Sequence, residues 1–199
     1  MIPAPCDVSP SRVTISLIGL PGGGKSSVGR HLARHLQRRF IDCDHEIERR
    51  IGCSIRVYFE REGESAFRDL EQQVLDELLD GSAHVVATGG GAVLREANRQ
   101  ALSSRSTVVY LRSTPEELFR RLRHDTQRPL LQVRDPMQKL RDLHRQRDPL
   151  YEQTAHYIID TGRPSIATLV NMILMQLELA GLVDAAVVPS TVLPQPPRH

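Results

Sequence analysis

Apolar and polar positions along the chain alternate between two periods, and the switches between them predict its elements. Residues 13–18 form an apolar, β-branched run of strand length, after which Val28, Leu32 and Leu36 recur at i, i+4 and i+8 and predict a helix from about Gly24 to Arg38. Phe40–Asp42 predicts a short strand and residues 44–50 a helix. Between Glu62 and Asp80 the residues Phe67, Leu70, Val74, Leu75 and Leu78 draw one helical stripe, with Gly81 in the place of a C-terminal cap. Residues 84–87 and 107–111 are again strand-like, and Ser113-Thr114-Pro115 opens a helix to about Arg123. Tyr157–Asp160 and residues 165–180 close the series as strand and helix. Five strands alternating with helices imply a three-layer α/β/α fold, a five-stranded parallel sheet covered on both faces. In such sheets ligands collect at the carboxyl ends of the strands.

Outside this alternation, residues 1–11 and 182–199 show no sustained period, and the second stretch carries Pro189, Pro194, Pro196 and Pro197. Both are expected to be disordered extensions of a single domain over residues 12–181. A chain of 199 residues suits one such domain with a substantial core. Lysine and arginine number 26 against 24 acidic residues, so the net charge of +2 supplies no field for nucleic acid or a membrane surface, and attraction for anions must be local. Only Lys25 and Lys139 are lysines; every other basic residue of that set is arginine. Cys6, Cys43 and Cys53 are odd in number and lie in no CxxC pattern, which fits free thiols in a reducing compartment, and a zinc site on Cys43, His45 and Cys53 lacks a fourth ligand at suitable spacing. No apolar run approaches the ~20 residues of a membrane helix, and the opening residues lack the layout of a secretion signal, so a cytoplasmic protein is expected.

Gly19-Leu20-Pro21-Gly22-Gly23-Gly24-Lys25-Ser26 fits GxxxxGK[ST] and falls between a predicted strand and a predicted helix, the context that distinguishes a nucleotide loop from a glycine-rich turn. Glycines let successive N–H groups converge on phosphate oxygens, and the helix that follows points its positive end at the same place. Lys25 would reach the β- and γ-phosphates and Ser26 would offer a hydroxyl to Mg²⁺. A lone lysine in a chain that otherwise uses arginine argues for a required ammonium. GTPases of the usual kind read guanine with Asn-Lys-x-Asp, and neither lysine is preceded by Asn. The strands at 85–87 and 108–111 do not end in Asp, which leaves Asp42 and Asp44 as the nearest metal-holding carboxylates.

If the chain stays extended past Asp42, Asp42 and Asp44 face one way and Cys43 the other. Phosphoryl transfer to a hydroxyl gives two carboxylates two jobs, the metal shell for Asp42 and the acceptor hydroxyl for Asp44; the alternative is a solvated turn with Asp44 as a helix N-cap. Arg68 lies beside the apolar stripe of its helix, where it either pairs with Glu71 or Glu64 or faces a ligand. Thr88-Gly89-Gly90-Gly91 is either a flexible turn or a stretch stripped of side chains for close approach of an anion. Arg120, Arg121, Arg123 and Arg128, followed by Pro129-Leu130-Leu131, and Arg147 before Asp148-Pro149-Leu150-Tyr151, are solvated helix faces or parts of a lid that neutralises a transferring phosphoryl group.

Together these segments, from about Val13 to about Glu178, resemble shikimate kinase. The nucleotide loop, the Asp42-x-Asp44 pair, Arg68-x-x-Glu71-x-x-x-Leu75, Val85 through Val93, Gln127-Arg128-Pro129-Leu130-Leu131 and Arg147 through Tyr151 each match a family segment. The resemblance implies a nucleoside-monophosphate-kinase-like fold, an acceptor region over residues 44–71 and a lid over 124–135. It implies transfer of the γ-phosphate of ATP to the 3-hydroxyl of shikimate, with Mg²⁺, in chorismate biosynthesis, by a monomer. Lys25, Asp44 and Arg128 would be catalytic. Gly22, Gly23, Gly24, Lys25, Ser26, Ser27, Arg121 and Arg128 would bind ATP, Ser26 and Asp42 the metal, and Asp44, Arg68, Gly89, Gly90, Gly91 and Arg147 shikimate. Ser27 stands where Thr is commoner and Tyr58 where a smaller apolar residue is usual. Without the resemblance, the residues leave open another small-metabolite kinase, for example one acting on gluconate, or a kinase-derived ligand sensor.

Overall fold

The structure, a computed structural model, describes residues 13–80, 83–122 and 135–184. Its centre is β1 (Ile15–Ile18), all four residues buried, flanked by β3 (Val85–Ala87) and β4 (Thr107–Arg112). β2 (Phe40–Asp42) and β5 (Tyr157–Asp160) form the edges, so the five parallel strands run in the order β2-β3-β1-β4-β5. Leu17 lies opposite Ala87, and Ala87 opposite Asp42. The register therefore brings Asp42, Thr88 and the loop after β1 level at the carboxyl edge. Because β2 and β4 lie on opposite sides of β1, the chain leaves β1 at the point where strand order reverses, where a crevice forms.

Near-continuous apolar strands are explained by burial on both sides. On one face Ile15, Leu17, Val109 and Ile159 pack with Val28 and Leu32 of α1 (Lys25–His35) and Val170, Ile173 and Leu174 of α7 (Ile166–Leu179). On the other, Ile18, Val86, Val108 and Tyr110 meet residues of α3 (Ile55–Leu79), α4 (Glu96–Arg105), α5 (Pro115–Leu122) and α6 (Pro136–Thr154). A smaller cluster, Ile47 of α2 (Cys43–Ile51) with Phe67 and Val74 of α3, supports the region beside the crevice.

Several elements differ from the pattern-based expectation. α3 begins at Ile55, capped by the Ser54 hydroxyl, and is interrupted at Gly63 (φ 82°, ψ 174°). Its first part presents Ile55, Tyr58 and Phe59 to the smaller cluster, so the stripe that begins after Glu62 cannot continue in phase through it. At its C-terminus the capping residue is Asp80; Gly81 lies outside the described residues. α4 was not anticipated because it buries only Asn98, Ala101 and Leu102. α6 was missed because Pro149 reads as a break, yet the helix runs through it, started by Asp135 accepting from the Gln138 amide at 2.9 Å and by Pro136 in its first turn. Leu182 and Val183, expected in the tail, pack on the α1–α7 core after a left-handed Gly181. Residues 1–12, 123–134 and 185–199, which include most of the expected lid, the whole N-terminal extension and most of the C-terminal one, lie outside the described residues. Among the described residues no helix is long and apolar enough to cross a membrane.

Candidate active site

The loop from Gly19 to Gly24 turns the end of β1 into α1. Gly24 is the N-cap, in a left-handed conformation (φ 90°) and with no side-chain cap, so the first N–H groups of α1 stay open toward the loop. Gly22 is also left-handed (φ 84°), and the Gly23 amide closes the turn onto the Leu20 carbonyl at 3.0 Å. Lys25 is buried, with its ammonium donating to the Gly19 and Leu20 carbonyls at 2.8 and 3.0 Å. Pro21, Gly22, Gly24 and Lys25, with Ser26, the exposed Ser27, Asp42, Asp44, Thr88, Gly90 and Arg121, line a cleft of about 360 Å³.

Asp42 and Asp44 share that cleft, but not for the reason alternation suggested. The chain turns helical at Cys43, and the N-cap of α2 is Asp42, whose Oδ1 accepts from the Asp44 amide at 3.2 Å. Asp44 is therefore not the cap. The other Asp42 oxygen accepts from the Ser26 hydroxyl at 2.6 Å. Two hard oxygen donors side by side next to the phosphate loop suit Mg²⁺, which takes few protein ligands and keeps water and phosphate oxygens for the rest. Cys43 points into the core, where burial and then Asp44 and Asp42 hold its thiol well above the usual range.

The acceptor side assembles from separate elements. Arg68 of α3 donates to Glu71 Oε2 at 2.6 Å and lies 3.3 Å from Glu64 Oε1, with its guanidinium over the Phe67 ring (5.2 Å to the centroid). The glycines after β3 make room for this cluster. A Cβ on Gly89 would meet Asp44 Oδ1 and Glu71 Oε1, both at 2.7 Å, and one on Gly91 would meet Arg68 Nη1 at 2.4 Å. The Gly90 carbonyl accepts from Arg147 Nη1 at 3.0 Å and from the Tyr151 hydroxyl at 2.6 Å, both from α6. Arg68 and Arg147 thus flank the Gly90–Gly91 segment, next to Asp44. Arg147 Nε is buried and has no hydrogen-bond partner among the described residues, the state expected of a donor that awaits a ligand.

Charge is concentrated here. Asp44 opens onto the cleft, yet the surrounding walls desolvate it and raise its pKa above the ordinary value; Lys25 pulls it down, Asp42 and Glu48 push it up, and Arg68 pulls it down. Glu71 is also raised, by burial first, against the pull of Arg68. Asp44 therefore stands between an ammonium on the phosphate side and a guanidinium on the acceptor side.

A family model for shikimate kinase matches residues 21–178. The chain belongs to the shikimate kinase family. A shikimate kinase from Paracidovorax citrulli is 58% identical over 174 residues, 86% of this chain and 95% of that one. The structure of a shikimate kinase from Acinetobacter baumannii in complex with shikimate has 49% identity and a TM-score of 0.80, covering 86% of this chain and 96% of that one. A gluconokinase from Sinorhizobium meliloti, at 19% identity and TM-score 0.53, shares the fold alone.

In this member of the shikimate kinase family, the residues singled out from sequence mostly converge. Gly22, Gly24, Lys25, Ser26, Ser27, Asp42, Asp44, Gly90 and Arg121 line one cleft, and Gly89, Gly91, Arg68 and Arg147 surround its Asp44–Gly90 end. Gly23 is buried in the loop beneath it. Arg121 is held by the Thr161 carbonyl and by the Ser113 and Thr161 hydroxyls. Arg128 lies outside the described residues. Residues with no role assigned from sequence are Glu71, seen there only as an ion-pair partner, and Tyr110, Asp148 and Tyr151. Their signal is the spacing of Arg68 with Glu71 and of Arg147 with Tyr151 on one helix face; nothing local ties Tyr110 to them.

Proposed function

We propose that the chain transfers the γ-phosphate of ATP to the 3-hydroxyl of shikimate, giving shikimate 3-phosphate and ADP. The observation that carries this reading is the placement of Asp44 between Lys25 and Arg68, with Ser26 and Asp42 on one side and Gly90 and Arg147 on the other. Loop amides and the Lys25 ammonium bind the β- and γ-phosphates, Arg121 lies against the nucleotide, and Lys25 leaves its two carbonyl partners to do so. Ser26 and Asp42 would hold Mg²⁺, which when bound neutralises phosphate charge. The planar guanidinium groups of Arg68 and Arg147 grip the shikimate carboxylate, since paired hydrogen bonds fix orientation as well as charge. The glycines around Gly90 leave space for the ring, and its hydroxyls reach Asp44.

Asp44 orients the 3-hydroxyl and accepts its proton as the oxygen attacks phosphorus; the new O–P bond forms, the bond to the β-phosphate oxygen breaks, and ADP leaves. Lys25 stabilises the charge that accumulates on the transferring group; the same role for Arg128, which lies outside the described residues, rests on the match of Gln127–Leu131 to the family segment alone. An ADP-release assay on purified protein, with a panel of hydroxy acids and nucleotides, tests the reading. Turnover dependent on shikimate and Mg-ATP, with gluconate inert, is expected; absence of shikimate-dependent turnover would overturn it.

A further inference from the structure

Arg147 is held by a device that begins outside the cleft. On α6, Arg147, Asp148 and Tyr151 stand at i, i+1 and i+4, so Arg147 and Tyr151 share a face one turn apart, and both donate to the Gly90 carbonyl. Asp148 accepts a hydrogen bond of 2.5 Å from the hydroxyl of Tyr110, which comes from β4. The two tyrosine rings stack with centroids 4.9 Å apart, and both residues are fully buried. Among the described residues Asp148 also lies 3.8 Å from His144 Nε2. The sheet thus fixes α6 at two points next to Arg147, by the Tyr110–Asp148 bond and by the Tyr110–Tyr151 stack. The two hydroxyls are taken up by protein groups, that of Tyr110 by Asp148 and that of Tyr151 by the Gly90 carbonyl.

We propose that Tyr110 is a positioning residue for acceptor binding: through Asp148 and Tyr151 it holds Arg147 against the Gly90 carbonyl, in place for the acceptor carboxylate. The inference rests on Arg147 being a ligand of that carboxylate. A side chain whose guanidinium keeps one buried, unpartnered donor is sensitive to small rotations of its helix, because a carboxylate clamp loses most of its directionality when the fork is misaligned. Removing the Tyr110 hydroxyl leaves the stacked rings in place and takes away only the tie to Asp148.

The test is calorimetric titration with shikimate alone, together with steady-state kinetics, on Tyr110→Phe, Asp148→Asn, Asp148→Ala, the Tyr110→Phe/Asp148→Ala double variant and Arg147→Ala. Tyr110→Phe and Asp148→Ala are each expected to weaken shikimate binding about five- to tenfold, with KM for ATP within about twofold of the parent. The double variant should be no worse than either single change, because both cut the same tie. Asp148→Asn, whose side-chain oxygen still accepts from Tyr110, should recover most of the binding, which a general loss of stability would not produce. If Arg147→Ala weakens shikimate binding and Tyr110→Phe does not, or if Tyr110→Phe raises both KM values equally, the positioning role is wrong while the ligand role of Arg147 stands. If Arg147→Ala leaves binding unchanged, both are wrong.

Discussion

On the phosphate side of the cleft most binding groups come from eight contiguous residues, Gly19 to Ser26, and are mostly main chain, with Asp42 and Arg121 added from other elements. The acceptor side instead draws side chains from α2, α3 and α6 around the glycine loop after β3, and keeps them in place through contacts with one another and with that loop. Local backbone conformation builds the first; tertiary packing builds the second. The difference predicts where damage can originate. Phosphate binding fails when a residue of the loop changes, whereas acceptor binding is open to changes in residues that touch no substrate.

The largest expected effect tests the phosphate side at the charged group of its loop. Lys25→Ala removes the ammonium and its bonds to the Gly19 and Leu20 carbonyls, while the Gly23–Leu20 turn keeps its own hydrogen bond. kcat should fall on the order of a hundredfold or more, the cost of removing a group that stabilises developing charge. Circular dichroism should be unchanged. Near-normal kcat would return Lys25 to a structural role on the Gly19 and Leu20 carbonyls.

Asp44 sits where the two sides meet, and its substitution should rank next. Asp44→Asn keeps the shape and loses the base, so kcat should drop about a hundredfold. Only ionised Asp44 accepts the hydroxyl proton, so kcat/KM in the parent should fall as pH drops through its pKa, which desolvation places above the ordinary 3.8. In Asp44→Asn that acid limb should vanish. The sign for stability is opposite. A pKa raised in the folded state means that folding disfavours the carboxylate, so at neutral pH the Asn variant should be at least as stable as the parent in thermal denaturation.

Arg68→Ala tests the acceptor side by itself. KM for shikimate should rise roughly ten- to a hundredfold, as expected for lost charge-assisted hydrogen bonds, with KM for ATP little altered. Glu71, 3% exposed at its side chain, would be left without its cation, and stability should fall by about 1–3 kcal/mol. Burial already raises Glu71 above 4.5, and without Arg68 it rises further. The stability loss should therefore grow as pH increases and shrink in acid, where Glu71 is protonated in both the folded and the unfolded state. A loss independent of pH would separate Arg68 from Glu71.

The same contrast explains what could be read from the sequence. The phosphate loop was legible because its chemistry is contiguous, and the core strands because burial on both faces leaves an apolar run at each. Asp42 and Asp44 share the cleft by a route other than alternation: the chain turns helical with Asp42 as N-cap, where an extended strand was expected. α4 and α6 were hidden for opposite reasons, one being too polar to show a stripe and the other containing Pro149. Arg68 takes the ion-pair reading with Glu71, and that pair holds its guanidinium beside Gly91, the place the ligand-facing reading requires. Tyr110 could not be found, because its relation to Asp148 crosses 38 residues and depends on how α6 meets the sheet.

A pair of glycine substitutions sharpens the comparison at the smallest scale. At Gly24 an added Cβ meets nothing within 4 Å, but φ is +90°, so Gly24→Ala strains the backbone at a cost of about 1–2 kcal/mol. The damage is to the conformation that opens the α1 amides, and it should appear as a rise in KM for ATP. At Gly89 no left-handed conformation is required, but the Cβ would lie 2.7 Å from both Asp44 Oδ1 and Glu71 Oε1. Those oxygens end flexible side chains and can move by a few tenths of an ångström, so the fold should survive. Moving them misplaces the hydroxyl acceptor and, through Glu71, Arg68. Gly89→Ala should therefore raise KM for shikimate by about two- to fivefold with KM for ATP unchanged. If Gly24→Ala and Gly89→Ala shifted the two KM values alike, the division of the cleft into a backbone-built half and a packing-built half would fail.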